Sequence, residues 1–256
     1  MSENSPEVVL EYLPEDAITR AAGLFKVVVS EAVARRGACY LALAGGTTPH
    51  ALYQTLADSG VSGEMPWPKT HVFFGDERDV PHDHVESNYR MAQRTLLDHL
   101  PIRPDQIHPM PADAEDLEAA AGQYEQTIRR IVPAGPDGIP RFDLVLLGMG
   151  GEGHTVSLFP CTPKALDEDK KLVLAHFVPV LGRRRMTFTL PLINSASSIL
   201  MLVLGEDKAD AVATILGDER GTRTHHPAAR VAPRDGRFIL VLDGAAARKS
   251  RFRPGA

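Results

Sequence analysis

The sequence predicts an α/β fold: a mainly parallel sheet with helices over both faces. Three observations carry this. Short runs that are apolar at every position recur along the chain, stretches with helical apolar spacing alternate with them, and Gly or Pro punctuates the joins. A strand apolar on both faces belongs in a sheet covered on both sides. Such sheets are parallel, because the crossover helices supply the cover. In chain order, Ile18, Ala21, Leu24, Phe25, Val28, Val29 and Ala32 mark the first helix, followed by a strand at 40–43 and a helix through Leu52 and Leu56. A strand at 71–74 precedes a helix on Tyr89, Ala92, Leu96 and Leu100, and a further helix follows on Leu117, Ala121, Tyr124, Ile128 and Ile131. Strands at 142–147, 172–178 and 199–204 come next, then a helix on Ala209, Val212, Ala213 and Leu216, and a last strand at 238–242.

With 256 residues, the chain fits one large domain or at most two small ones. The 133–140 stretch, rich in Pro and Gly, reads equally as a domain boundary or as a helix-to-strand connection. The polar 217–236 stretch reads as a long loop, functional or mobile, and the basic 248–253 segment as a solvated terminus. Against 33 Asp and Glu stand 28 Lys and Arg, a net charge of −5. So weak a field argues against nucleic acid or an anionic membrane as the main partner. Cys39 and Cys161 are too few for a disulfide framework, and the polar, acidic 2–7 segment is unlike a secretory signal. The longest apolar run, 199–204, falls far short of the roughly 20 residues of a membrane helix. The expectation is a cytoplasmic, soluble, globular protein.

Parallel sheets bind ligands beyond the carboxyl ends of their strands. After the 40–43 strand comes Gly45-Gly46-Thr47-Thr48-Pro49 at a helix start, which reads either as a phosphate seat or as a tight turn with a Thr cap. After the 71–74 strand comes Gly75-Asp76-Glu77-Arg78, and Ser87 is placed to cap a helix whose first residue, Asn88, faces the crevice. His82 and His84 are weak evidence for a metal. After the 142–147 strand, Gly148, Gly150 and Gly153 satisfy the dinucleotide pattern G-x-G-x-x-G. That pattern requires a long helix, which Pro160 and Pro163 interrupt, so nucleotide binding is the runner-up. What remains is a glycine turn presenting His154, an imidazole able to act as a general base near neutral pH, or else a cap for the next turn through Thr155. Arg183, Arg184, Arg185 and Lys208 supply cations, Lys208 at a helix start that disfavours positive charge and so hints at a bound anion. The sequence lacks G-x-S-x-G, H-E-x-x-H, the P-loop pattern and C-x-x-C. Together these features describe a sugar-phosphate enzyme that works by proton transfer.

Ala44-Gly45-Gly46-Thr47-Thr48-Pro49, Gly75-Asp76-Glu77-Arg78, Ser87-Asn88-Tyr89 and Gly153-His154-Thr155 with Ser157-Leu158-Phe159-Pro160 resemble the 6-phosphogluconolactonase family. Arg185-Met186-Thr187, Gly205 with Lys208-Ala209, and Leu242-Asp243 with Ala245-Ala246 extend the likeness over nearly the whole chain. The superfamily also holds glucosamine-6-phosphate deaminase, but Arg78 and Ser157-Leu158-Phe159-Pro160 resemble the lactonase branch. The resemblance implies a Rossmann-like three-layer sandwich over residues 1–256 as a single catalytic domain, and a monomer. It further implies hydrolysis of 6-phospho-D-glucono-1,5-lactone in the pentose phosphate pathway, with no cofactor and no metal. Carried over, His154 is the base, with Glu152, Asp76 and Arg78 beside it in the catalytic set. Gly45, Gly46, Thr47, Asn88, Arg185 and Lys208 hold phosphate and sugar. The chain departs from the family at two positions, with Glu152 and Glu86 standing where Asp is common. The other readings are a glucosamine-6-phosphate deaminase and a non-catalytic sugar-phosphate-binding protein.

Overall fold

The computed structural model describes residues 6–217 and 226–252. Each predicted apolar run forms a strand, and three further strands appear, at 7–10, 76–78 and 183–188. Along the chain come β1 (Glu7–Leu10), α1 (Pro14–Arg36), β2 (Cys39–Leu43), α2 (Thr47–Ala57), α3 (Ser59–Ser62), β3 (Thr70–Phe74), β4 (Asp76–Arg78), α4 (Asn88–Thr95) and α5 (Leu117–Ile131). There follow β5 (Leu144–Leu147), α6 (Pro163–Leu166), β6 (Val173–Val178), β7 (Arg183–Phe188), α7 (Leu190–Ile193), β8 (Ser198–Val203), α8 (Ala209–Leu216), β9 (Arg237–Leu242) and α9 (Gly244–Ala247). Helix α1 starts on Pro14 with Glu15 and Asp16 in its first turn and ends on Arg35 and Arg36, charges that suit the dipole at each end. Its Ala17, Ala21, Phe25, Val29 and Ala32 are buried, as helical spacing requires.

Strands β1, β9, β8, β5, β2 and β3 pair in that order in one sheet, every pairing parallel. Strands β5 and β8 are buried at every position, which is why they read as unbroken apolar runs. Helices flank this sheet, and the core formed between them runs from Ala17 to Ala247.

One expected member of the parallel sheet belongs elsewhere. The 172–178 run is β6, which pairs antiparallel with β7, and β7 in turn pairs antiparallel with β4. Only a short 3₁₀ turn, Pro179–Leu181, separates β6 from β7. A connection that short makes a hairpin and cannot make the crossover a parallel pair needs. The 133–140 stretch is the link between α5 and β5, closed by a bridge from Ala134 to Pro140. Of the 217–236 loop, residues 218–225 lie outside the described residues, and 227–230 form a 3₁₀ turn. Arg248 and Lys249 pair with Glu206 and Asp210, tying the basic segment to the region of α8, while Arg253 lies outside the described residues.

The chain runs from β2 outward to β3, then returns to β5 on the other side of β2 and continues to β8 and β9. The direction of winding therefore reverses between β2 and β5. Loops leaving such neighbours diverge and open a crevice at the carboxyl edge.

Candidate active site

The loops after β2 and β5 leave that crevice from opposite sides and form a cavity of about 210 Å³. Gly45, Gly46 and Thr47 line it from the β2 side, His154 and Gly150 from the β5 side, and Lys208 from the loop after β8. Asp76 and Arg78 of β4 and Asn88 of α4 complete the predicted residues in its wall. Glu152 and Arg185 are not among the residues that line it.

His154 is oriented from two directions. Its Nδ1 lies 2.7 Å from Glu152 Oε1, and its ring stacks on Phe159 with centroids 4.1 Å apart. Burial pushes the Glu152 carboxyl up, but its own backbone N–H, the adjacent His154 and the Lys208 charge together hold it below the ordinary carboxylate value. An ionised carboxylate only accepts, so the proton of this bond sits on Nδ1, and in the neutral ring the lone pair is left on Nε2. Gly150 is required here because any Cβ would run into the His154 ring and the Glu152 carboxylate. No crossover helix follows Gly153. Thr155 and Leu158 close a bridge instead, and the next helix is the four-residue α6. The dinucleotide pattern thus lacks the helix that gives it meaning. Thr155 does not use His154 as a cap: its hydroxyl donates to the Gly148 carbonyl at 2.9 Å.

Across the cavity, the Asp76 carboxylate receives Ser157 Oγ at 2.6 Å and Asn88 Nδ2 at 3.2 Å. The same amide nitrogen donates to the Asp76 carbonyl at 3.0 Å. With its NH₂ so held, Asn88 turns Oδ1 against Gly45, where this buried acceptor has no partner among the described residues. A side chain at position 45 would occupy the place of that amide. Glu77, wholly buried, accepts from the backbone N–H groups of Arg78, Asn88 and Tyr89 and from Ser87 Oγ. Burial raises its pKa while those donors oppose the rise. Glu77 thereby clips the start of α4 to β4, and Ser87 caps that helix by accepting from Arg90 N at 3.1 Å.

The cations divide their tasks. Arg78 reaches the cavity and donates through Nη1 to the Glu86 carbonyl at 2.5 Å. Arg183 Nη1 donates to Glu86 Oε2 at 2.7 Å, so the longer side chain at position 86 is an anchor for the β6–β7 hairpin. Arg184 and Arg185 lie 3.9 and 3.7 Å from the Asp79 carboxylate. Arg185 is paired in register with Arg78 and is 8% exposed. Lys208 Nζ lies 2.7 Å from Asp207 Oδ2, immediately before α8. His82 Nε2 lies 2.7 Å from the Met110 carbonyl, and His84 Nδ1 lies 3.8 Å from Glu86.

A family model described as glucosamine-6-phosphate isomerases/6-phosphogluconolactonase matches residues 13–240, spanning every wall of the cavity. The chain belongs to this family. A 6-phosphogluconolactonase of Synechocystis sp. is 39% identical over 239 residues, covering 93% of this chain and 96% of that one. A 6-phosphogluconolactonase of Mycobacterium tuberculosis is 41% identical over 214 residues, covering 81% and 85%. The solved structure of the Trypanosoma brucei 6-phosphogluconolactonase superposes with a TM-score of 0.82 at 26% identity, covering 96% of this chain and 99% of that one. In this family member the cavity lies at the reversal of strand order, where β2 and β5 are neighbours.

Sequence reasoning did not single out Ser157, Phe159, Asp79 or His226. Ser157 and Phe159 sat inside a quoted motif without a role. Asp79 follows three charged residues, a position that reads as a solvated edge. His226 Nδ1 lies 3.0 Å from the Glu152 carbonyl although 74 residues separate them, and no local pattern carries such a contact.

Proposed function

We propose that this chain hydrolyses 6-phospho-D-glucono-1,5-lactone to 6-phosphogluconate, the ring-opening step of the pentose phosphate pathway. The observation that carries the reading is one imidazole, its Nδ1 on Glu152, facing the same cavity as the Gly45–Thr47 turn and Lys208. The substrate phosphate sits at the amino end of α2, where unpaired N–H groups and the helix dipole favour a dianion, with Lys208 opposite. Anchored there, the lactone carbonyl lies within reach of His154 and Arg78. His154 Nε2 takes a proton from water as the water oxygen bonds to C1. Arg78 stabilises the oxyanion that forms. Collapse breaks the bond from C1 to the ring oxygen, which takes the proton back from the imidazolium, and the new carboxylic acid loses its proton to solvent. Glu152 stabilises the imidazolium throughout. Arg185, outside the lining, supports Arg78 across the β4–β7 ladder. The scheme draws on side chains alone, since a lactone is already a reactive ester, and it runs in a cytoplasmic monomer.

The test is lactone hydrolysis measured above spontaneous opening, with wild type compared with His154→Ala. General-base catalysis is worth about 10²–10⁴ in rate, so kcat should fall by that much while KM changes little. Wild-type turnover in the variant would overturn the base assignment. Ammonia release from glucosamine 6-phosphate with no lactone hydrolysis would overturn the substrate.

A further inference from the structure

His176 lies outside the cavity wall, on β6 of the antiparallel sheet, yet it touches the turn that carries His154. That turn is strained. Val156, two residues past His154, has φ 46°, a left-handed conformation that a β-branched residue resists, and it is the one non-glycine with positive φ among the described residues. Strained backbone persists where its surroundings over-determine it. Here the surroundings converge on Ser157, which is 1% exposed. Its Oγ donates to Asp76 Oδ2, its backbone N–H donates to Thr187 Oγ1 at 3.2 Å, and its carbonyl faces His176 Nε2 at 2.8 Å.

We infer that His176 is a positioning residue for His154, bracing the 155–158 turn by donating Nε2–H to the Ser157 carbonyl. The inference rests on the lactonase reading above and deepens it. A carbonyl only accepts, so the bond requires the Nε2–H tautomer. Burial, the largest influence on this ring, lowers its pKa and keeps it neutral near pH 7. Residue 176 pairs in register with Arg185, so β6 and β7 present the two side chains at one level of the ladder. Removing the donor leaves a buried carbonyl unpaired and frees the turn to relax away from φ 46°. His154 and the Ser157 partner of Asp76 would then shift together, because both hang from the same four residues.

The experiment compares wild type, His176→Gln and His176→Met by lactone hydrolysis and by NMR of protein labelled with ¹⁵N-histidine. Glutamine carries an amide N–H to the reach of Nε2, and methionine matches its length without a donor. With misaligned general-base geometry, His176→Met should lose about tenfold or more in kcat with KM within about threefold, and His176→Gln should keep kcat within about threefold. The His154 ring signals should move in the Met variant and stay in place in the Gln variant. Unchanged kcat in the Met variant, a loss confined to KM, or equal losses in both variants would overturn the brace. So would an Nδ1–H tautomer at His176 in the wild type, a reading that needs no variant to fold. If wild type fails to open the lactone at all, the substrate reading falls, while the His154 signals still decide the brace.

Discussion

At the residue scale, the site depends on side chains whose polar atoms are held by others. Asn88 is the clearest case. Its NH₂ is fixed on Asp76, so its Oδ1 has a single direction left, against Gly45 and into the cavity. A buried acceptor with no partner carries a desolvation penalty, which a substrate hydroxyl relieves. Gly45→Ala puts a methyl group where the amide lies. Displacing a contact by about 1 Å costs up to about 100-fold, so kcat/KM should fall by between tenfold and 100-fold. Because both changes act through one contact, Gly45→Ala should cost little extra in an Asn88→Ala background. Double-mutant kinetics checks this, and full additivity would show that Gly45 acts elsewhere.

At the element scale, the three charged residues that follow β3, expected at the crevice, form a strand of their own, β4. Asp76 and Glu77 find buried partners there, Ser157 for the first and Ser87 and Asn88 for the second, which hydropathy alone does not anticipate. β3 carries a second titratable feature, remote from the site. His71 Nδ1 lies 3.1 Å from His108 Nε2, with Asp105, Arg103 and Arg130 near the pair. Burial first, then the charges of His71 and Arg130, lower the His108 pKa to about 4, and burial lowers that of His71 as well. An unfolded histidine titrates near 6.5, so between about pH 6.5 and pH 4 the unfolded chain binds more protons than the folded one. Stability is therefore complete above pH 6.5 and declines as pH falls through that window. Thermal unfolding should show Tm dropping on acidification, and His108→Phe should flatten the drop. A Tm profile that is the same in both proteins would place the acid sensitivity elsewhere.

For the whole molecule, the cavity lies where winding reverses between β2 and β5, and β4 of the antiparallel sheet supplies Asp76 and Arg78 to its wall. In the monomer proposed above, the lining residues of a single chain suffice for activity. Light scattering should return a mass near 27.8 kDa, and specific activity should not change with protein concentration. Activity that appears only on concentration would show that a partner copy completes the site.

The apolar runs and the residues immediately after them, from Gly45 to Lys208, were legible in the sequence. Strand burial and glycine turns are local properties, written in consecutive residues. The family motifs also carried Glu152 beside His154, two positions apart. Tertiary structure alone decided which strands form the second sheet, that Arg78 rather than Arg185 reaches the cavity, that His176 meets Ser157, and that His226 meets Glu152. Those outcomes depend on pairings between residues tens of positions apart, and such pairings arise from how the sheet winds and how buried polar groups find partners.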